Sequence, residues 1–133
     1  NAYKKVLETI SRMKLKSGKL HVLFGCGGDR DATKRPEMGR IAEQFSDFLW
    51  ITPDNPRSET VEDINAEILT GLTTDQYRIF NDRGAGLRKA ISQLESSDIL
   101  VVLGKGREDG QEINGQIHPY SDIKIIEEAA NAN

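Results

Sequence analysis

The sequence predicts an α/β fold, a mostly parallel sheet with helices on both faces. Segments with apolar residues at helical spacing alternate with short apolar runs: KLHVLF at 19–24, FLWIT at 48–52, YRIFN at 77–81 and DILVVL at 98–103. Repeated β-then-α order favours parallel strands joined by right-handed crossovers. DILVVL has no polar alternation, the pattern of a strand covered on both faces. Finally, 133 residues with 37% hydrophobic and 29% charged residues, both signs mixed, suffice for one packed domain but not comfortably for two.

Taken in order, Tyr3, Val6, Leu7, Ile10 and Met13 recur at helical spacing until Ser17-Gly18 stops the pattern. The strand KLHVLF follows and opens into the glycine-rich loop GCGGDRD. Pro36 stands where a first-turn proline is tolerated, and Met38, Ile41, Ala42 and Phe45 form the apolar stripe of a second helix. FLWIT is the next strand and TPDNPRSE turns the chain. Thr60 with Asp63 then resembles a capping box ahead of a helix carrying Val61, Ile64, Ile68 and Leu72. YRIFN reads as a short strand, and Leu87, Ala90, Ile91 and Leu94 as the stripe of a fourth helix. After DILVVL, QEINGQIHP reads as a small hairpin turning at Asn114-Gly115, and Ser121 caps a final helix through Ile123, Ile126 and Ala130.

A formal net charge of −3 gives no electrostatic footprint for a nucleic-acid backbone or an anionic membrane, so neither partner is expected. Apolar runs such as ILVVL fall far below the roughly 20 residues of a membrane helix, and no signal-peptide pattern opens the chain. A cytoplasmic location is expected. One cysteine, Cys26, and two scattered histidines, His21 and His118, supply neither a disulfide framework nor zinc-type spacing, so no metal site is expected. Neither histidine has a nucleophile beside it, so both read as structural, and Cys26 reads as a small buried hydrophobe. The chain opens Asn1-Ala2-Tyr3 directly in a helical pattern, as a piece of a longer protein would.

In an open parallel sheet, ligands bind beyond the carboxyl ends of the strands. Three loops leave those ends, GCGGDRD, DNPR and GKGRED. They carry Asp29, Arg30, Asp31, Asp54, Asn55, Arg57, Lys105, Arg107, Glu108 and Asp109. A polyanion would call for cations and backbone amides, whereas here acids accompany every base. Arginine forks suit carboxylates, while acids and an amide oxygen suit an ammonium, so the mixture fits a zwitterion such as an amino acid. The residues alone leave a second reading open, in which these charges are solvated or tie loops together. Asp54, in a turn-forming Asp-Asn-Pro, is the first candidate for that role. Nucleotide motifs are incomplete: Gly25, Gly27 and Gly28 lack the last glycine of G-x-G-x-x-G, and Gly104-Lys105 lacks the rest of a Walker A loop.

FGCGGDRD with KRP and MG after it, DNPRSE with an isoleucine-rich helix ending ILTGL, then GKG-x-E and a YSD before the last helix carry a resemblance. They resemble the C-terminal domain of the Mur ligases that add the third residue of the peptidoglycan peptide, the MurE type. The resemblance covers nearly the whole chain and implies a Rossmann-like, three-layer domain over residues 1–133, with the N-terminal and ATP-binding central domains outside it. It implies ATP-dependent amide formation between UDP-muramoyl dipeptide and meso-diaminopimelate, with ATP and Mg2+ bound mainly by the other domains. By the same resemblance Arg30, Asp54, Asn55, Arg57, Gly104 and Glu108 bind the diamino acid, Lys105 and Arg107 are further contributors, and no residue here is catalytic. Arg57, closing DNPR, is the expected specificity residue, because an arginine there resembles the diaminopimelate-adding ligases. Arg107 replaces the histidine of the usual GKGHE, and solvent exposure is expected for it. The competing readings are a stand-alone amino-acid-binding or interaction module without catalysis, and a Rossmann nucleotide-binding domain.

Overall fold

In the computed structural model, which describes residues 2–131, α1 (Ala2–Met13) leads into β1 (Leu20–Phe24), α2 (Lys34–Phe45) and β2 (Phe48–Ile51). There follow α3 (Val61–Leu69), β3 (Tyr77–Ile79), α4 (Arg83–Ser92) and β4 (Ile99–Val102). A hairpin of β5 (Gly110–Ile113) and β6 (Gln116–Pro119) and a last helix, α5 (Asp122–Asn131), complete the order. Asn1, at the expected start of the domain, lies outside the described residues.

The sheet runs β3-β2-β1-β4 with every pairing parallel, and β5 and β6 form a separate antiparallel pair. This is the α/β architecture that the alternating segments predict, hairpin included. The strand order reverses at β1, so the loops after β1 and β4 diverge there and leave the crevice in which open α/β sheets take their ligands.

Strand alternation divides the core. Leu20, Val22 and Phe24 of β1 pack with Leu49 and Ile51 of β2 against Leu7 of α1, Met38, Ile41 and Ala42 of α2, and Ile64 and Ile68 of α3. On the opposite face Leu23 and Trp50 pack against Leu87 and Ala90 of α4 and Ile125 of α5. Helix starts follow their sequence signals: Asp63 N donates to Thr60 Oγ1 at 3.2 Å, and Lys124 N to Ser121 Oγ at 3.2 Å. Asn114 (φ 51°) and Gly115 (φ 76°) both take the left-handed backbone that a two-residue type I′ hairpin demands.

The outer strand and the first helix differ in detail from their patterns. DILVVL is packed on both faces, with Val101 and Leu103 in one cluster and Leu100 and Val102 against the other, but it is the edge of the sheet: Ile99, Leu100 and Val102 are half-buried, whereas β1, the central strand, is buried throughout. An edge strand lacks a neighbour on one side, and its own residues do not record that. In α1, Tyr3, Leu7 and Ile10 share the packed face at i, i+4 and i+7, while Val6 and Met13 fall beside it and stay 42% and 68% exposed. Among the described residues no helix is long and apolar enough to cross a membrane.

Candidate functional site

The three loops meet at the carboxyl end of the sheet, stitched through DNPR. Gly28 N donates to Asn55 O at 2.7 Å, Arg57 N to Glu112 O at 3.0 Å, and the Lys105 ammonium to Asn55 Oδ1. The glycines make this approach possible. A Cβ on Gly25 would lie 1.8 Å from Thr52 O, and one on Gly28 would lie 1.7 Å from Pro56 O, so neither position admits a side chain. The glycine cluster thus serves backbone packing against the neighbouring loop.

Beneath the loops lie buried charges that tie them together. Arg35, 2% exposed, reaches Glu59 through Nη1 at 3.0 Å and Nη2 at 2.7 Å, Glu67 at 2.9 Å and Gly27 O at 3.0 Å. Its bonds to Glu59 raise the guanidinium pKa above its ordinary value, and the same contacts hold Glu59 below the usual carboxylate range. Glu59 also accepts Asp29 N at 2.6 Å, and Asp29 in turn accepts from Ser58, so the loops after β1 and β2 are clamped. Arg83 is fully buried and bidentate to Asp122, with Nε to Oδ1 at 3.0 Å and Nη2 to Oδ2 at 2.8 Å, and it donates to Leu103 O at 2.9 Å. Burial alone would lower the Arg83 pKa, but the bonds to Asp122 outweigh it and the net shift is upward. The Tyr120 hydroxyl donates to Asp122 Oδ1, and burial followed by this hydrogen bond raises the phenol pKa.

Sequence reasoning missed both arginines. Arg35 sits in KRP and Asp122 in YSD, segments that carried the resemblance without a physical role attached, and Arg83 lies outside every segment singled out.

Arg30 is exposed and makes no hydrogen bond or ion pair among the described residues. With Tyr3, Gly27, Lys34, Met38 and Asp54 it lines a cleft of about 390 Å³ between α1, the loop after β1, α2 and the loop after β2. Arg57 (φ 53°) donates through Nη1 to Gly28 O at 2.9 Å and Asn55 O at 3.4 Å, its Nε lies 3.4 Å from Glu112, and its side chain is 18% exposed. Nη2 makes no hydrogen bond among the described residues. The two arginines flank Gly27: a Cβ built there would sit 2.8 Å from Arg57 Nη1 and 3.5 Å from Arg30 Cγ. Both arginine side chains therefore border a residue that has no side chain of its own, Arg57 with its guanidinium and Arg30 with its aliphatic stem.

Asp54 places Oδ1 3.4 Å from the Lys105 ammonium, buried and without a hydrogen bond, and its side chain is 22% exposed. Gly104 (φ 110°) carries the chain past this carboxylate. Lys105 itself is fully buried, Glu108 is exposed with Oε1 3.9 Å from it, and Arg107 is exposed as expected. Asn55 Oδ1, expected to suit an ammonium, is instead occupied by Lys105 and by Glu112 N at 2.9 Å. Cys26 borders the cleft, where burial pushes its thiol up to about 11, so it stays protonated near neutral pH. His21 lies at the opposite end of the sheet, bonded to Trp50 and Asp98, and His118 lies on exposed β6.

Residues 1–106 match the family described as Mur ligase, glutamate ligase domain. The chain belongs to this Mur ligase family. It is 42% identical over 132 residues to the UDP-N-acetylmuramoyl-L-alanyl-D-glutamate--2,6-diaminopimelate ligase of Chromobacterium violaceum. It is 46% identical over 133 residues to the ligase of the same name from Ectopseudomonas mendocina. Both alignments cover 99% of this chain and 27% of the relative, so the chain spans about a quarter of the length of the curated relatives it matches. A solved structure of a ligase of this name superposes with a TM-score of 0.89 at 36% identity, over 97% of this chain and 26% of that one. The likeness therefore runs beyond residue 106, over the hairpin and last helix of this chain.

Proposed function

We propose that this chain is the C-terminal, amino-acid-binding domain of an ATP-dependent ligase that adds meso-diaminopimelate to UDP-N-acetylmuramoyl-L-alanyl-D-glutamate in peptidoglycan synthesis. The N-terminal and central domains lie outside residues 1–133, and the enzyme works in the cytoplasm. The observation that carries this reading is the cleft that brings Arg30 and Lys34 together with Asp54, with the Arg57 guanidinium beside Gly27 on its margin. Cations and a carboxylate within one concave surface match a zwitterion better than a phosphate. The 2,6-diaminopimelate ligases named above support the choice of amino acid.

In this reading Arg30 and Arg57 take carboxylates, and Asp54 and Glu108 face ammonium groups. Gly104 keeps the loop clear of a side chain. ATP with Mg2+ supplies activation of the acceptor's D-glutamate carboxylate, and we assign it to the other domains. Among the described residues no group of three or more His, Cys, Asp or Glu side chains forms a metal site. What this chain contributes is position. It holds the amino acid so that one uncharged nitrogen meets the activated carbonyl when the domains close, turning a bimolecular encounter into an oriented one.

Selectivity follows from desolvation, because an arginine that loses its anion on lysine binding is left unpaired. In the full-length ligase, Arg57→Ala is expected to cost meso-diaminopimelate about 2 kcal/mol in kcat/KM, the low end of the range for a charged contact because the side chain is partly exposed. Turnover of lysine should barely change. Steady-state kinetics with both amino acids checks this, and equal losses for the two overturn the assignment of Arg57.

A further inference from the structure

We infer that Lys105 is a positioning residue, whose buried ammonium locks the Asn55 amide with its oxygen inward, so that Asn55 meets the bound amino acid only as a hydrogen-bond donor, to a carboxylate oxygen. This rests on the amino-acid-binding reading above and deepens it.

Lys105 has no exposed side-chain surface and therefore touches no ligand itself. Gly104 (φ 110°) and Gly106 (φ 53°), in left-handed backbone on either side of it, form the turn from which the side chain runs inward. Its ammonium has three protons, and its partners are Asn55 Oδ1, Gly110 O at 3.0 Å and Asp54 Oδ1 at 3.4 Å. Asn55 Oδ1 also accepts Glu112 N at 2.9 Å. An ammonium and a backbone N–H are donors only, so the amide atom on which they converge is the oxygen. Turning the amide over would set an NH2 against two donors and leave a buried charge short of an acceptor.

The backbone of the same residue is held as firmly. Asn55 O accepts Gly28 N at 2.7 Å and Arg57 Nη1 at 3.4 Å. With both oxygens engaged, Asn55 is half-buried and its NH2 makes no hydrogen bond among the described residues. It shares the loop with Arg57, whose Nη2 is likewise without a hydrogen bond among those residues. Both remaining functions are donors, which suits a carboxylate and excludes an ammonium at Asn55. Lys105 thus shapes the ligand's orientation from a position the ligand does not reach.

The test uses the full-length ligase and KM for meso-diaminopimelate in Lys105→Met, Asn55→Ala and the double variant. Each single change is expected to raise KM about ten- to a hundred-fold, the worth of a charge-assisted hydrogen bond, with kcat and the KM for ATP little altered. If Lys105 acts through Asn55, the double variant is no worse than Asn55→Ala alone. Losses that multiply overturn the inference. Should Lys105→Met fail to fold, Asn55→Asp decides: a carboxylate keeps both accepted bonds but has no N–H. Its melting temperature should hold while KM rises by a similar factor, and an unchanged KM overturns the inference. A parent ligase indifferent to meso-diaminopimelate overturns the function proposed above and the inference with it, whereas a responsive parent with multiplying losses overturns the inference alone.

Discussion

The two ends of the central strand carry buried polar clusters of opposite design. At the amino end Trp50 Nε1 donates to His21 Nδ1 at 3.1 Å, and His21 Nε2 lies 3.2 Å from Asp98, which also accepts Lys19 N at 2.8 Å and Glu95 N at 3.0 Å. Donors and acceptors are matched within that cluster. At the carboxyl end Arg35, Arg83 and Lys105 are just as buried and are each held by carboxylate, amide or carbonyl oxygens, but the loops they fix carry Arg30 and the Asn55 NH2 with no partner among the described residues. Burial of a charge therefore marks scaffold at both ends. The binding surface we propose is distinguished by the groups that the scaffold orients and leaves over.

The largest effect that would sharpen this contrast is on stability. Arg83→Met strands a buried Asp122 carboxylate and is expected to cost about 3–5 kcal/mol in urea unfolding. A cost near zero would mean that the pair does not hold the carboxyl-end loops. Next comes the amino end, where His21→Leu leaves the Trp50 N–H without its acceptor and is expected to cost about 1–3 kcal/mol. In the full-length ligase it should leave KM for meso-diaminopimelate unchanged. A shifted KM would break the division between the two ends.

The smallest expected effect is a pH slope. Backbone N–H groups of Glu95 and Lys19, and then His21, hold Asp98 below the usual carboxylate range. Its folded pKa is therefore lower than its unfolded value of about 3.9, and the unfolded state binds more protons between the two. The stabilisation is present above that unfolded value and is lost as pH falls through the folded one. Asp98→Asn should lose stability less steeply over that acid window, read from unfolding midpoints at successive pH values. Identical slopes would contradict the assignment.

Local patterns made most of the fold legible. Helical spacing located α2, α3 and α4, Asn114-Gly115 located the hairpin, and the mixed charges singled out three loops that the fold brings to one end of the sheet. What stayed hidden is non-local. The partners Arg35–Glu59 and Arg83–Asp122 are 24 and 39 residues apart, and no spacing rule joins residues across such distances. The edge position of β4 depends on strand order, which an apolar run does not encode. The same limit applied to Asn55, read as an ammonium acceptor because its oxygen is chemically able to be one. Only the arrival of Lys105, 50 residues later, removes that option.

The central claim is that the carboxyl end of this sheet reads an amino-acid carboxylate with donors that the buried charges hold in place. A crystal structure of the full-length ligase with meso-diaminopimelate tests it most directly. The account predicts a ligand carboxylate within hydrogen-bond distance of Arg30 or Arg57 and of the Asn55 NH2, with Lys105 still on the Asn55 oxygen. A ligand bound elsewhere, or an ammonium group against Asn55, would contradict it.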